Sequence, residues 1–404
     1  MPTEGRLPPA APAPRIEALD VLRGLAILGI FFINIPIMGG PIVGGSTAPS
    51  RADQAVSWGL DLFVEGTQRG LLQLLFGAGM LLLTARAMRP DGPVAVADSY
   101  YRRNLWLLAI GLVHIFVLLW PFDILHVYAI AALFLFPFRR IGPRLALALG
   151  LGYCALTFAV QIAEPSLWEA APPQMEAQAD TPDADAYAGL DAAAEREARH
   201  GGYLATQGWS VAVWSAGADG TGLWSDVAEA FAVMLVGMAL FKWGIVQGLR
   251  SGRFYLVLTV AAYGVGVPLR LGALVGDDGW SATYDIARLA ISIGHVALVN
   301  LALRSRAGEW LLRPFRAAGR MAFTLYLMQT MIGLWVLFPS WGFGLWDRFG
   351  PAGLALVAAS VAAIQVLLAN LWLRRFSAGP VEWAWRSLAA WRPQPFRRQA
   401  SGAA

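Results

Sequence analysis

Charge is what this sequence has least of. Only 14% of its 404 residues are charged while 57% are hydrophobic, whereas a soluble domain carries about a quarter charged residues. Mean hydropathy is +0.53, which excludes an ordinary soluble globule and points to a polytopic membrane protein. Lysine is nearly absent: Lys242 stands alone, so the formal charge of +4 rests on arginine. Those arginines punctuate apolar runs and form no continuous basic face, so nucleic acid is not an expected partner. The one cysteine, Cys154, lies in an apolar run and can close no internal disulfide, which leaves the redox compartment unreadable. Histidine is scarce too, at four. With no Cys/His spacing, HExxH string, carboxylate cluster or glycine-rich phosphate loop, no metal site is expected.

What is present is a series of long apolar runs, and the first organises the rest. Leu19 to Met38 is apolar apart from Asp20, Arg23 and Asn34, and at ~1.5 Å per residue it is long enough to cross a ~30 Å hydrocarbon core. Residues 1–18, rich in Pro and Ala, read as a disordered leader. Further spans are expected near Arg69–Met88, Asn104–Pro121, Phe122–Phe138 and Arg144–Ile162, so that 19–163 holds spans one to five. Residues 164–224 form an acidic insert, helical in its middle (DAAAEREARHGGYLATQG). Residues 225–376 hold spans six to ten, near Asp226–Phe241, Phe254–Val275, Tyr284–Leu303, Gly319–Phe338 and Pro351–Leu373, and 377–404 form a basic tail. The expected fold is therefore an all-α bundle of about ten transmembrane spans. With the N-terminus inside, each short arginine-rich connection and the C-terminal tail fall in the cytoplasm, and the acidic insert falls outside. The expected location is the cytoplasmic (inner) membrane of a bacterium, crossed many times.

A few polar residues interrupt these spans. Arg23 and Asn34 share a helix face, ~16 Å apart along the axis, with Asp20 one turn before Arg23. Arg103 and His114 repeat that spacing on the third span, and Asp123 opens the fourth span just across the turn, followed by His126. A histidine beside a carboxylate is the smallest general-base pair. The bland alternative makes Asp20 and Arg23 interface anchors and His114 a packing residue. Ionisable groups cost ~2.5–3.5 kcal/mol at membrane depth even on the lenient scale. Arg69, Arg270, Asp285 and Arg288 fall at similar outer depth, so Arg69, His126, Arg270 and Arg288 are read as lining a polar cavity.

Five strings, LDVLRGLAILGIFFIN, LLFGAGM, GLVHIFVLLWPFDILHVYAI, GRMAFTLYLMQT and GPVEWAWR, occur in order between Arg15 and Arg386. Together they resemble the YeiB-like multi-pass membrane proteins, a family built on a domain of unknown function. The first span also resembles that of the transmembrane acyltransferase superfamily, which includes lysosomal heparan-alpha-glucosaminide N-acetyltransferase. Those enzymes pass an acyl group from cytosolic acyl-CoA to a sugar on the far side of the membrane. The resemblance covers Asp20, Arg23, Gly24 and Asn34 on the first span and His114, Asp123 and Tyr128 on the hairpin. It continues through Gly319, Arg320 and Tyr326, then Gly379, Pro380, Glu382, Trp385 and Arg386. The heparan enzyme has a catalytic histidine in the loop after its first span, and residues 39–68 here hold none.

What the resemblance implies is an acyltransferase with acyl-CoA as donor, held by Arg23 and Arg103 with Asp20 beside them. His114, oriented by Asp123, would be the base, with Asn34 donating to the developing oxyanion. The expected partners are the lipid bilayer, a small-molecule, glycan or lipid acceptor, and a second copy of the chain in a homodimer. A transporter or exporter would use the same polar groups as a substrate path.

Overall fold

Apolar periodicity at this length leaves the backbone one economical solution in lipid, the α-helix, because each amide then finds its partner within its own segment. The computed structural model describes residues 16–42, 49–85, 96–163, 190–218, 222–276 and 278–398. The leader to residue 15, the connection holding Arg86 and Arg89, and the insert from Glu164 to residue 189 lie outside the described residues. The fold is all-α; one isolated antiparallel bridge, Phe376 to Arg397, is the extended pairing seen among the described residues.

The helices are α1 (Glu17–Gly39), α2 (Arg51–Phe63), α3 (Thr67–Ala85), α4 (Ala97–Phe116), α5 (Ile124–Leu135) and α6 (Pro143–Ala163). After the undescribed stretch come α7 (Ala192–His200), α8 (Tyr203–Gly217), α9 (Gly222–Lys242), α10 (Gly252–Val275) and α11 (Tyr284–Ala302). The chain closes with α12 (Arg306–Leu312), α13 (Phe315–Arg320), α14 (Ala322–Met331), α15 (Pro351–Arg375) and α16 (Pro380–Ala390). A π-helical stretch, Ile332–Leu337, follows α14 directly.

Among the described residues, six helical stretches are long and apolar enough to cross a membrane: α1, α6, α9, α10, α11 with its leading turn, and α15. The other four expected spans are helical but shorter or more polar. The fourth is the 12-residue α5 running into a 3-10 turn at Phe136–Arg140. The ninth breaks at Met321 and then loosens into the π stretch.

Burial separates the spans into two classes. The apolar windows of α1 and α9 are 67% buried, those of α6 and α10 only 22%. α1 and α9 are thus central, while α6, α10 and α15 present rows such as Leu145, Leu149 and Leu156, or Leu356, Ile364 and Leu367 outward. Such rows need lipid, since water would penalise them at ~25 cal/mol per Å². α1 meets α13 backbone to backbone: a Cβ on Gly24 would fall 2.2 Å from the Phe315 carbonyl oxygen, and one on Gly319 1.7 Å from that of Asp20. Only glycine at both positions allows that crossing.

Both ends of the chain's middle fold back. The sequence left the insert as a helix among loops; α7 and α8 instead run through to Gly217 and pack into the bundle. Glu195 is fully buried and its Oε2 accepts from Ile42 N at 2.9 Å. From α8, Gln207 Nε2 donates to the Phe116 carbonyl at 2.9 Å, and the Trp214 ring meets Phe116 and His126. The helix pair therefore covers the end of the α4–α5 hairpin. At the opposite end α16 and the strand-like Phe396–Arg397 segment lie back against the bundle, where Trp372, Phe376, Phe396 and Trp383 stack together.

Candidate functional site

The α4–α5 hairpin is built tightly for local reasons. Asp123 caps α5, its Oδ2 accepting from His126 N at 2.8 Å, which satisfies one of the orphan amides of a helix start. Gly111 lies beneath this cap. A Cβ there would sit 2.7 Å from His126 N and 2.8 Å from Asp123 Oδ2, so α4 and α5 can close only on glycine. The connecting turn is strained: Leu119, 1% exposed, holds a left-handed φ of 69°, a conformation costing a non-glycine residue ~1–3 kcal/mol.

That closure places His114 Nδ1 2.7 Å from Asp123 Oδ1. On the other side of the ring, His114 Nε2 lies 2.8 Å from Thr330 Oγ1 on α14. His126 Nδ1 reaches the second carboxylate oxygen at 3.1 Å. His114, Asp123, His126 and Thr330 are all buried, and Tyr326 packs edge-on against His114 with ring centres 5.0 Å apart. An ionised Asp123 can only accept, so an imidazole beside it turns Nδ1–H toward it; when His114 is neutral, its Nε2 accepts from the Thr330 hydroxyl. The pairing of His114 with Asp123 is the one the sequence pointed to. Thr330 was missed, because a threonine in an apolar span gives no signal until the packing is known.

Asn34 stands nearby on a different helix. It is 2% exposed and its Oδ1 has no hydrogen-bond partner. On the same α1 stripe, the Ile27 carbonyl accepts from Gln329 Nε2 at 3.0 Å, and Met38 meets Gly333. With seven residues from Ile27 and four to Met38, Asn34 shares their face, which is turned toward the stretch carrying Thr330. No hydrogen bond joins Asn34 to His114 or Asp123 among the described residues.

At the far end of the same helices lies a group of guanidiniums. Arg23 is 3.9 Å from Asp20. The Arg103 guanidinium stacks 4.3 Å above Trp385 of α16, and feels the positive charge of both Arg23 and Arg386. Arg386, missed as a member of this group, comes from a tail that the sequence did not place against the bundle. α16 is held there by Glu382, whose Oε1 accepts from Phe323 N at 2.7 Å and Thr324 N at 3.0 Å, capping α14 across space. Burial raises the Glu382 carboxyl above its ordinary range, and its donors offset this only partly.

The four residues expected to line one cavity divide. His126 belongs to the Asp123 network. Arg270 donates from Nε to the Asp61 carbonyl at 2.9 Å and stacks on Tyr284, the ring that Arg288 also approaches. Arg69 and Arg288 do converge, but on Glu229, at 2.9 and 2.5 Å. Arg288 also pairs with Asp285 at 3.0 Å, and Gln73 Nε2 donates to Glu229 at 2.8 Å. Ion pairs fill this space; a small pocket remains beside it, lined by Ile30, Ile33, Glu65, Gln68 and Arg69. Glu229 escaped notice because it opens a span one turn after Asp226, where a carboxylate reads as an interface residue.

Similarity to known proteins runs along the whole chain. Residues 240–392 match the family described as "Protein of unknown function (DUF418)". The uncharacterized protein YxaH of Bacillus subtilis strain 168 is 29% identical over 96% of this chain and 98% of its own length. The uncharacterized protein YeiB of Escherichia coli K12 is 28% identical over 93% of this chain and 96% of its own. A 39.9 kDa uncharacterized protein from the amylase 3' region of Bacillus acidopullulyticus is 26% identical over 94% and 95%.

Proposed function

We propose that this chain, a YeiB-like membrane protein, is a membrane-embedded acyltransferase that moves an acyl group from cytosolic acyl-CoA to an extracytoplasmic glycan, lipid or small metabolite. The observation that carries the reading is the buried base: His114, with Asp123 at 2.7 Å fixing its tautomer and a hydroxyl at 2.8 Å on its free nitrogen. A carboxylate in that position stabilises the imidazolium formed when the base takes a proton. Asn34, buried on α1, carries in its Nδ2 amide group the hydrogen-bond donors an oxyanion needs. Arg23, Arg103 and Arg386 suit a polyphosphate donor, three guanidiniums against the single carboxylate of Asp20. Their ~16 Å separation from the base is bridged by an extended pantetheine arm.

The proposed topology has ten spans with both termini in the cytoplasm, in a bacterial inner membrane. Its support is that Arg23, Arg103 and Arg386 gather at one end of the bundle while α7 and α8 cover the other.

A second reading, a carrier, draws on the Arg69–Glu229–Arg288 lattice, since charges within a bundle also mark substrate paths. Purified protein in nanodiscs, given labelled acyl-CoA, separates the two. Release of free thiol that His114→Ala abolishes supports the enzyme. No thiol release by the unaltered chain with acetyl-, succinyl- or palmitoyl-CoA overturns it.

A further inference from the structure

Three spans of this molecule repeat one design. Arg23 and Asn34 are eleven residues apart on α1, and Arg103 and His114 eleven apart on α4. Arg320 and Thr330 are ten apart across α13 and α14. At helical rise the first two pairs each span ~16 Å; Gly319 abuts Asp20 where α13 crosses α1, and Thr330 Oγ1 meets His114 Nε2. The three upper members, Asn34, His114 and Thr330, therefore sit at one level. Two of them are already assigned to chemistry; the third is a hydroxyl.

We propose that Thr330 Oγ1 is the nucleophile of this site and carries the acyl group between donor and acceptor. The inference rests on the acyltransfer reading and goes beyond it, since that reading needs only a base. Four observations support it. Thr330 Oγ1 is 2.8 Å from His114 Nε2, whose other nitrogen is 2.7 Å from Asp123 Oδ1, the order nucleophile, base, orienter. With a neutral His114 whose Nδ1–H faces Asp123, the hydroxyl is the donor to Nε2, so its proton points along the path it would leave by. Thr84 and Thr283, also buried, satisfy themselves locally, on the Met80 and Trp280 carbonyls. Thr330 instead reaches a neighbouring helix. Finally, α14 passes into a π stretch one residue after Met331, and such local departures from the α-ladder recur at functional sites.

The chemistry balances in two halves. Thr330 Oγ1 bonds to the thioester carbonyl carbon as the carbon–sulfur bond breaks. Its proton passes to His114 Nε2 and then to the departing thiolate. In the second half an acceptor hydroxyl or amine attacks the threonyl ester and gives its proton to Nε2. Thr330 Oγ1 leaves and takes that proton back. Asp123 stays ionised throughout, and no further reagent is required.

The test uses the full chain in detergent with radiolabelled acetyl-, succinyl- and palmitoyl-CoA and no acceptor. The expected result is label retained on the peptide containing Thr330 as an ester stable to neutral hydroxylamine, which excludes a thioester on Cys154. Thr330→Val should lose both label and turnover, by ~100-fold or more, with an unchanged gel-filtration profile. Thr330→Ser should keep both, which a purely structural threonine would not require. Turnover by the unaltered chain without label on Thr330, or with Thr330→Val still active, overturns the nucleophile and leaves the acyltransferase standing. Absence of turnover from every donor removes both.

Discussion

Two buried polar clusters lie within this bundle, and they are built on opposite principles. The lattice of Arg69, Glu229, Arg288 and Asp285 is made of fixed charges, each held by a charge of the other sign, with Arg288 1% exposed and Glu229 2%. The chain Thr330–His114–Asp123–His126 has one carboxylate and otherwise groups able to give or take a proton. The first has no proton that can move cheaply and no lone pair left pointing at a partner that could react. The second has both. Burial and polarity therefore do not by themselves identify a reactive site; the kind of group at each contact does.

The largest expected effect falls on the lattice. Glu229→Ala leaves the buried Arg288 guanidinium and the partly buried Arg69 around an empty place, and breaking a buried pair costs ~3–5 kcal/mol. Thermal unfolding in detergent should show a lower midpoint, and yield should fall. Glu229→Met combined with Arg288→Met should recover part of that loss, because no unmatched charge remains at their contact. If the single change is harmless, the lattice is not the fastening it resembles.

His114→Ala should divide differently between fold and rate. Asp123 keeps the amide and imidazole of His126, so the melting midpoint should fall less than in Glu229→Ala while acyl transfer drops by ~10²–10⁴-fold. Asp123→Asn should lower the rate as well, and adding it to His114→Ala should change little more, since groups that act as a unit are not additive. Equal damage to fold and rate would place this cluster with the lattice.

How much of this was legible in sequence differs by cluster in the same way. The His114–Asp123 contact could be read because nine residues and Pro121 force the two onto one hairpin. Thr330 could not, being 216 residues from His114 and indistinguishable from a threonine that bonds its own helix. Arg69 and Arg288 were visible as costly charges, yet their shared partner Glu229 comes from a third helix, and its side appears only on packing. The length criterion failed for α5 and α14, where a 3-10 turn and a π stretch shorten what apolarity alone extends.

The arginine group offers a smaller effect. Arg103→Ala should weaken binding of a coenzyme A thioester by ~10-fold, equal to ~1.4 kcal/mol, with the fold unchanged. Arg386→Ala, at an exposed position, should weaken it less. Equilibrium dialysis with labelled acetyl-CoA reads both, and unchanged affinity in Arg103→Ala would return these residues to an interface role.

The smallest effect separates charge from hydrogen bonding at the tail. Glu382 caps α14 from another helix, accepting from Phe323 N and Thr324 N, and it meets the Thr324 hydroxyl at 2.5 Å. Removing a cap of this kind costs ~0.5–2 kcal/mol. Burial already lifts its carboxyl above the ordinary range, so the folded protein gains little from the negative charge itself. Glu382→Gln should therefore keep α16 docked, because the amide oxygen still accepts from the two backbone amides and the amide nitrogen can donate to Thr324. Glu382→Ala should release it. Protease cleavage after Arg375, followed over time, reads the docking directly. Rapid cleavage in Glu382→Ala with slow cleavage in Glu382→Gln is the expected pattern. Equal rapid cleavage in both would show that charge holds the tail, and would place Glu382 with Glu229 as a fixed-charge fastening.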